Sequence, residues 1–346
     1  MRPTWTAGFG FSGLAFLLLA ACATSPEERP PAAFAFAVIG DIPYGPEDDV
    51  ILQNEIIPRI KASTYPFVIH VGDYKAGGAP CAAEFDAAMT TLVASLAPKP
   101  VFYTPGDNEW TDCDRNPDPA TGKPTSELGR LDSLRRLFFA DAPAVPKAMR
   151  ARQQKSQPEN LAWRHRGVRF ATLHVVGTNN GRSYVAGDPL DSAKAATEAR
   201  DAANFEWLNE AARAAKKERA LALVIAMQAD TTFIEHGPVG KPCDGVAADP
   251  NPCDAFVALR AAIHGAAEEF GGPVLLIHGD TEPFTFNQEF LESGAPNLWR
   301  LNAAGDVHFH DGLWHGLRDA TEVTIDPGAS PPFAAKALAS GAAPAE

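Results

Sequence analysis

The sequence predicts an α/β fold built on a largely parallel sheet, and three observations lead there. Apolar, β-rich runs alternate with helical patterns along most of the chain. Each run is followed by a loop holding Gly or Asp, the position of a strand-to-helix turn. The runs lack a clean alternation of apolar and polar residues, as expected of strands covered on both faces. Strands and helices in this order imply βαβ crossovers.

In chain order, Phe34–Gly40 reads as a strand leading to Asp41 and a helix over 49–62. Phe67–Val71 leads to Gly72-Asp73 and a helix over 82–96. Val101–Thr104 leads to Pro105-Gly106-Asp107 and a helix near 127–139. A strand over 168–176, a long Ala-rich helix near 196–217, and a strand over 220–227 follow. A helix near 255–270 and the strand Val274–His278 complete the alternation. Beyond this the pattern changes: 284–286, 297–302 and 322–325 read as short strands with no helices between them. No repeat is visible, and the Ala/Pro-rich tail over 328–346 is expected to be poorly ordered.

The N-terminus carries Arg2, then an apolar stretch from Thr4 to Leu19 that is short for a bilayer span, then small residues before Cys22. Leu19-Ala20-Ala21-Cys22 resembles the lipobox of bacterial lipoproteins. It implies a signal peptide over 1–21, a lipidated Cys22 with a tether over 22–33, and a folded domain over 34–327. The expected location is the bacterial cell envelope, lipid-anchored, with the domain facing the periplasm or exterior. The formal charge is −13, and it becomes −14 without residues 1–21 because Arg2 is their only charged residue. That acidity argues against a nucleic-acid surface and against a broad grip on anionic lipid, leaving the anchor as the membrane contact.

With Cys22 lipidated, four cysteines remain, an even number that suggests disulfides in an oxidising compartment but allows three pairings. Cys243 and Cys253 flank a Pro-rich loop, and Cys81 and Cys113 each follow a strand-end loop. The expected pairs are Cys81–Cys113 and Cys243–Cys253. Neither pair has the Cys-x-x-Cys spacing that would favour zinc.

Asp41, Asp73, Asp107 and Asp280 stand at the C-terminal ends of strands, the edge where open α/β sheets bind ligands. One such Asp is ordinarily a helix cap or turn residue. Four at corresponding positions are harder to explain as caps. The ordered set Gly40-Asp41, Gly72-Asp73, Gly106-Asp107-Asn108-Glu109 and His278-Gly279-Asp280-Thr281-Glu282 resembles the calcineurin-like metallophosphoesterases. These carry Asp-x-His, Gly-Asp, Gly-Asn-His-Asp/Glu, an isolated His and Gly-His-x-His after core strands. The resemblance implies a layered α/β/β/α sandwich of two mixed sheets, metallophosphoesterase-like, covering most of 34–326.

Every histidine of that pattern is replaced. Pro43 stands for the first and Asn108 for the second, the run Gln228-Ala229-Asp230 stands where the isolated one is expected, and Asp280 and Glu282 stand for the last two. Asp107 replaces the family's Asn. Carboxylates and amides suit Mg²⁺, Mn²⁺ or Ca²⁺ better than Zn²⁺ or iron. The implied metal ligands are Asp41, Asp73, Asp107, Asp280 and Glu282, which would repel one another unless a cation or a positive side chain such as Lys75 lay among them. Asn108 would hydrogen-bond the phosphoryl group, and His278 is the candidate for leaving-group protonation, though a buried structural histidine is equally expected there. Lys75, Asn179 and Asn180 are candidate substrate contacts, with a solvated loop and a simple turn as the plainer readings. His308, His310 and His315 would supply imidazoles only if their segment folds back over the site. The implied activity is metal-dependent hydrolysis of a small phosphate ester or phospholipid-derived phosphate outside the cytoplasm. The alternative is an inactive relative that binds a cation, ligand or protein partner. No Gly-x-Ser-x-Gly is present to suggest a serine nucleophile.

Overall fold

The computed structural model describes residues 1–8, 10, 32–118, 121–291 and 294–346. Cys22 and most of the expected signal and tether lie outside the described residues. The body, Pro31–Glu346, is a unit of its own.

Its first sheet runs in the order β14-β13-β1-β2-β3, from Phe34–Ile39 (β1), Val68–His70 (β2), Val101–Tyr103 (β3), Thr321–Ile325 (β13) and Phe333–Ala337 (β14). The second runs β4-β5-β6-β7-β8-β10-β9. It is made of Arg152–Gln153 (β4), Leu161–His165 (β5), Val168–Thr172 (β6), Ala222–Ala226 (β7), Val274–His278 (β8), Thr285–Asn287 (β9) and Leu298–Asn302 (β10). In the second sheet parallel pairing holds in the centre and antiparallel pairing at both edges, whereas in the first β1, β2 and β3 are parallel to one another and β13 and β14 add antiparallel on the other side. The sheets are therefore mixed, as the family resemblance implies, and less parallel than the alternation alone suggests.

Strand periodicity explains the layers. Phe36 and Val38 of β1 join Phe67, Ile69, Trp163, Phe170, Val224 and Leu275 in an apolar layer to which both sheets contribute. Phe102 stacks on Trp163 with ring centroids 3.6 Å apart. The alternate residues Ala37 and Ile39 face the other way, toward a helix over 46–62 (α1) and Ala83–Ser95 (α2). On the far side of the second sheet, Leu223, Ile225 and Leu276 meet Leu190–Glu218 (α4) and Val257–Phe270 (α5). Glu127–Phe138 (α3) packs beside Trp110 and Val176. Two-sided burial is why these strands read as continuous apolar runs.

Three departures from the sequence reading concern the edges. Strand β5 escapes the sequence pattern because its Arg164-His165 end is polar and partly exposed, leaving only three buried residues. A hairpin, Val307–His310 (β11) and Leu313–Gly316 (β12), carries exposed side chains and so lacks a burial signature. The tail is not poorly ordered over its whole length: β14 pairs antiparallel with β13, burying Phe333 and Ala337. Its small alanines are compatible with an edge strand, and Asp319 accepts the Ala339 and Ser340 backbone N–H groups at 2.8 Å each. Beyond it, Ala345 exchanges backbone hydrogen bonds with Phe284 and Phe286, tying the tail to the second sheet.

Phe333→Ala is expected to lower the unfolding free energy by about 3 kcal/mol, the usual cost of emptying a buried Phe site. Urea denaturation measures it; a loss below about 1 kcal/mol would mean the tail strand adds little.

Candidate metal centre

The strand ends bring the predicted acids to one edge. Asp41, Asp73 and Asp280 follow β1, β2 and β8, and all three have left-handed backbone, with φ of 56°, 57° and 75°. Asp tolerates this region better than most residues, and such strain is concentrated where function over-determines the backbone. Carboxylate oxygens of Asp73, Asp107 and Asp280 lie within 4.8 Å of one another. Glu109, fully buried, holds two of the loops in place. It accepts the Asp73 N–H at 2.9 Å, the Gly106 N–H at 2.8 Å and the Tyr103 hydroxyl at 2.8 Å.

Gln228, at the end of β7, touches all three carboxylates of the triad. Its Nε2 donates to Asp73 Oδ2 at 3.1 Å, Asp107 Oδ1 at 3.1 Å and Asp280 Oδ1 at 2.9 Å. Its Oε1 accepts the Gly177 N–H at 2.6 Å. The reversed amide would set oxygen against three carboxylates and NH₂ against an N–H, so these partners define the orientation. Asp41 lies beside the triad. Its Oδ1 accepts the Asp280 N–H at 2.8 Å, and its Oδ2 is buried without a hydrogen-bond partner. The Tyr44 hydroxyl sits 3.4 Å from Asp41 Oδ1 and 3.3 Å from Asp73 Oδ2, and accepts from Asn108 Nδ2 at 3.2 Å.

A turn of left-handed backbone closes the site. Thr178, Asn179 and Asn180 have φ of 52°, 54° and 55°, an arrangement costing about 1–2 kcal/mol per residue. It starts at Gly177, where a Cβ would collide with the Asp107 and Asp280 carboxylates. Thr178 Oγ1 is 2.7 Å from Asp107 Oδ2 and 2.6 Å from Asp112 Oδ1, and receives Arg115 Nη2 at 2.7 Å. Thr178, Arg115, Asp112, Tyr44 and Gln228 shape the site without appearing among the sequence candidates for ligands. Of these, the family pattern points only to Gln228, and only as one of the run Gln228-Ala229-Asp230 that stands where a histidine is expected.

Several predicted roles change. Asn179 and Asn180 fasten the turn to its surroundings, and Asn179 also lines the cavity. Asn179 Nδ2 donates to the Asn251 carbonyl at 3.2 Å and Asn179 Oδ1 accepts from the Ala255 N–H at 3.1 Å, while Asn180 Nδ2 donates to Asp201 at 2.9 Å. Lys75 is neither solvated nor bonded to the acids: its buried ammonium donates to the Ala76 and Ala79 carbonyls at 3.0 and 2.9 Å. His278 is turned out of the cavity, with Nδ1 against the Gly279 carbonyl at 2.8 Å and Nε2 3.4 Å from Arg300. Glu282 stands apart from the triad, grouped instead with Asp306 and His308. His308 does reach the cavity wall, because the β11–β12 hairpin folds back. His310 reaches Glu282, at 3.2 Å.

The cavity holds about 390 Å³ and is lined by the triad together with Tyr44, Asn108, Arg115, Phe233, Asp306 and His308. Cys81–Cys113 joins the loops that follow β2 and β3, and Cys243–Cys253 closes the loop to which Asn179 is bonded. Two disulfides fit an oxidising compartment. Among the described residues no helix is long and apolar enough to cross a membrane.

Electrostatics follow from this crowding. Burial raises Asp41, Asp73 and Asp280 well above the usual carboxylate range, with Asp306 adding to Asp41 and Asp107 adding to the other two. Burial and Asp107 push Asp112 up to about 7. The donors are all oxygen, three carboxylates share one coordination radius, and Asp41 leaves an oxygen unpartnered beside them. That set fits a hard divalent cation.

The sequence pattern of the calcineurin-like phosphoesterases matches residues 34–246. The chain belongs to the calcineurin-like phosphoesterase family. Family members are in general metal-dependent phosphoesterases, and the sheet architecture agrees with that membership. Similar solved structures include PhoD, at a TM-score of 0.49 and 14% identity, covering 86% of this chain and 64% of that one. GAP50, the anchor in the inner membrane complex of Plasmodium, is similar at a TM-score of 0.48 and 10% identity, covering 90% of this chain and 87% of that one. A Thermus thermophilus protein, TT1561, is similar at 0.40 and 12%, covering 88% and 98%. No curated protein matches the sequence.

Raised carboxyl pKa values mean that these aspartates bind more protons in the folded metal-free protein than in the unfolded chain, so their contribution to stability falls as pH rises, while His70, His174 and His278, held neutral by burial, act in the opposite sense. Because a cation must displace those protons, the Tm gain from adding Mg²⁺ or Mn²⁺ to the metal-free protein should be larger at pH 8 than at pH 6, a difference to which the buried histidines do not contribute. A Tm gain that is equal at both pH values would contradict the raised carboxylates.

Proposed function

We propose that this family member is a metal-dependent phosphoester hydrolase acting outside the cytoplasm on a small phosphate ester, lipid-derived phosphates included. The observation carrying this reading is the Asp73–Asp107–Asp280 triad facing a cavity whose wall also holds Asn108 and Arg115. Asp73, Asp107 and Asp280 would hold the cation, with Asp41 beside them, and Mg²⁺, Mn²⁺ or Ca²⁺ suits these oxygens better than Zn²⁺ or iron. When bound, such an ion polarises phosphoryl oxygens and lowers the pKa of water. Arg115 is the cavity's guanidinium, suited to phosphate oxygens, and Asn108 supplies an amide donor near them. Thr178 and Glu109 position the acids. Export and acylation at Cys22 belong to the same reading, supported by the lipobox resemblance and by two disulfides.

A second reading, a non-catalytic protein that binds a cation, ligand or partner, is favoured by one arrangement. Gln228 presents an amide donor to the triad where the family has a histidine ligand.

Purified protein should hydrolyse generic phosphate mono- or diesters only with a divalent cation. Asp107→Asn should cut kcat/KM at least about 100-fold, since even residues that merely support a ligand contribute 10–100-fold. Tight metal binding without turnover across an ester panel would favour the non-catalytic reading. Turnover that is indifferent to chelator would overturn the metal-dependent one.

A further inference from the structure

We propose that Glu282, Asp306 and His308 form a second cation site, separate from the carboxylate triad and built for a first-row divalent ion that accepts an imidazole ligand. Asp306 and His308 stand outside the motif set that identifies the family. Asp306 ends the loop between β10 and β11 and His308 lies in β11, whose hairpin folds back so that one ligand atom from each of Glu282, Asp306 and His308 lies within 4.8 Å of the others. Gly305 makes the approach possible. With φ of 149°, it packs so closely that a Cβ would collide with the Gly40 carbonyl and lie 3.3 Å from Asp41 Cβ. Asp306 is thereby delivered against Asp41, only 3% exposed.

An ordinary ion pair does not account for the arrangement. His308 Nε2 lies 2.9 Å from Asp306 Oδ1, but Asp306 Oδ2 is buried with no hydrogen bond, and so is Oδ2 of neighbouring Asp41. Buried carboxylate oxygens left without donors are costly. The cavity reaches Asp306 and His308, so an ion entering it has a path to the group. Glu282 is held by His310 Nε2 at 3.2 Å, an orienting contact of the kind that supports metal-binding carboxylates. Two carboxylates and one imidazole form a mixed oxygen–nitrogen set, suited to Mn²⁺, Co²⁺ or Zn²⁺ rather than to Ca²⁺. The triad has no imidazole. The two sites therefore differ in a way that can be read spectroscopically, and the proposal does not rest on hydrolysis.

The test is Mn²⁺ titration of the full chain with pulsed electron paramagnetic resonance, which detects ¹⁴N coupling from a coordinated imidazole. Bound Mn²⁺ should show histidine nitrogen coupling. His308→Ala should abolish that coupling and remove one class of bound Mn²⁺ while leaving the other. Asp107→Asn should keep the coupling, whatever becomes of the triad or of activity. His308 is largely exposed, so its loss should leave the fold intact. Bound Mn²⁺ without nitrogen coupling in the unaltered protein would overturn the proposal. So would coupling that survives His308→Ala and disappears in His310→Ala.

Discussion

Carboxylates gathered in a buried pocket repel one another, and that repulsion must be answered by protons, by donors or by a cation. Here the architecture brings Asp41, Asp73, Asp107 and Asp280 together from four strand ends and then meets their charge with few donors. The Gln228 amide serves three of them, and the Tyr44 hydroxyl lies between two. Among the described residues nothing cationic is bonded to the triad: Lys75 donates to loop carbonyls, and Arg115 Nη2 to Thr178 and Asp112. Much of the local structure serves this convergence. Left-handed backbone at three aspartates and a left-handed turn over Thr178–Asn180 are tolerated because Glu109, Arg115 and the disulfide-closed loop around Asn179 hold them.

The positions of the acids are legible in the sequence, and the partners of those acids are not. A residue following an apolar strand lands at the sheet edge whatever its identity, so the order of Asp41, Asp73, Asp107 and Asp280 is enough to place them together. Both disulfide pairs can be anticipated from the loops they flank. Side-chain direction is a different matter. Lys75 and Asn179 sit in the anticipated loops but turn to backbone carbonyls, and His278 turns toward Arg300. Thr178 carries no motif, and a β-branched residue at positive φ is not predicted by any local preference. The β11–β12 hairpin is invisible in the sequence because exposed strands carry no apolar period, and Asp306 is hidden with it. In the tail, alternation of Phe333 and Ala337 is masked by alanine-rich composition.

Replacement of every motif histidine divides the edge into two chemistries. The triad is all oxygen. The group formed by Glu282, Asp306 and His308 regains an imidazole from a part of the chain outside the family pattern, and Asp41 lies between the two. A hard cation in the first and a softer one in the second would be a division of labour reached by exchanging side chains on an unchanged sheet.

Whether a cation or only the hydrogen bonds of the Gln228 amide answer the triad's charge decides what the site can do. The direct measurement is a crystal structure of the protein soaked in Mn²⁺, with anomalous scattering collected near the manganese edge. The account predicts an anomalous peak bonded to oxygens of Asp73, Asp107 and Asp280, with the Gln228 NH₂ displaced from them. A triad without a peak, still capped by the Gln228 amide, would contradict it.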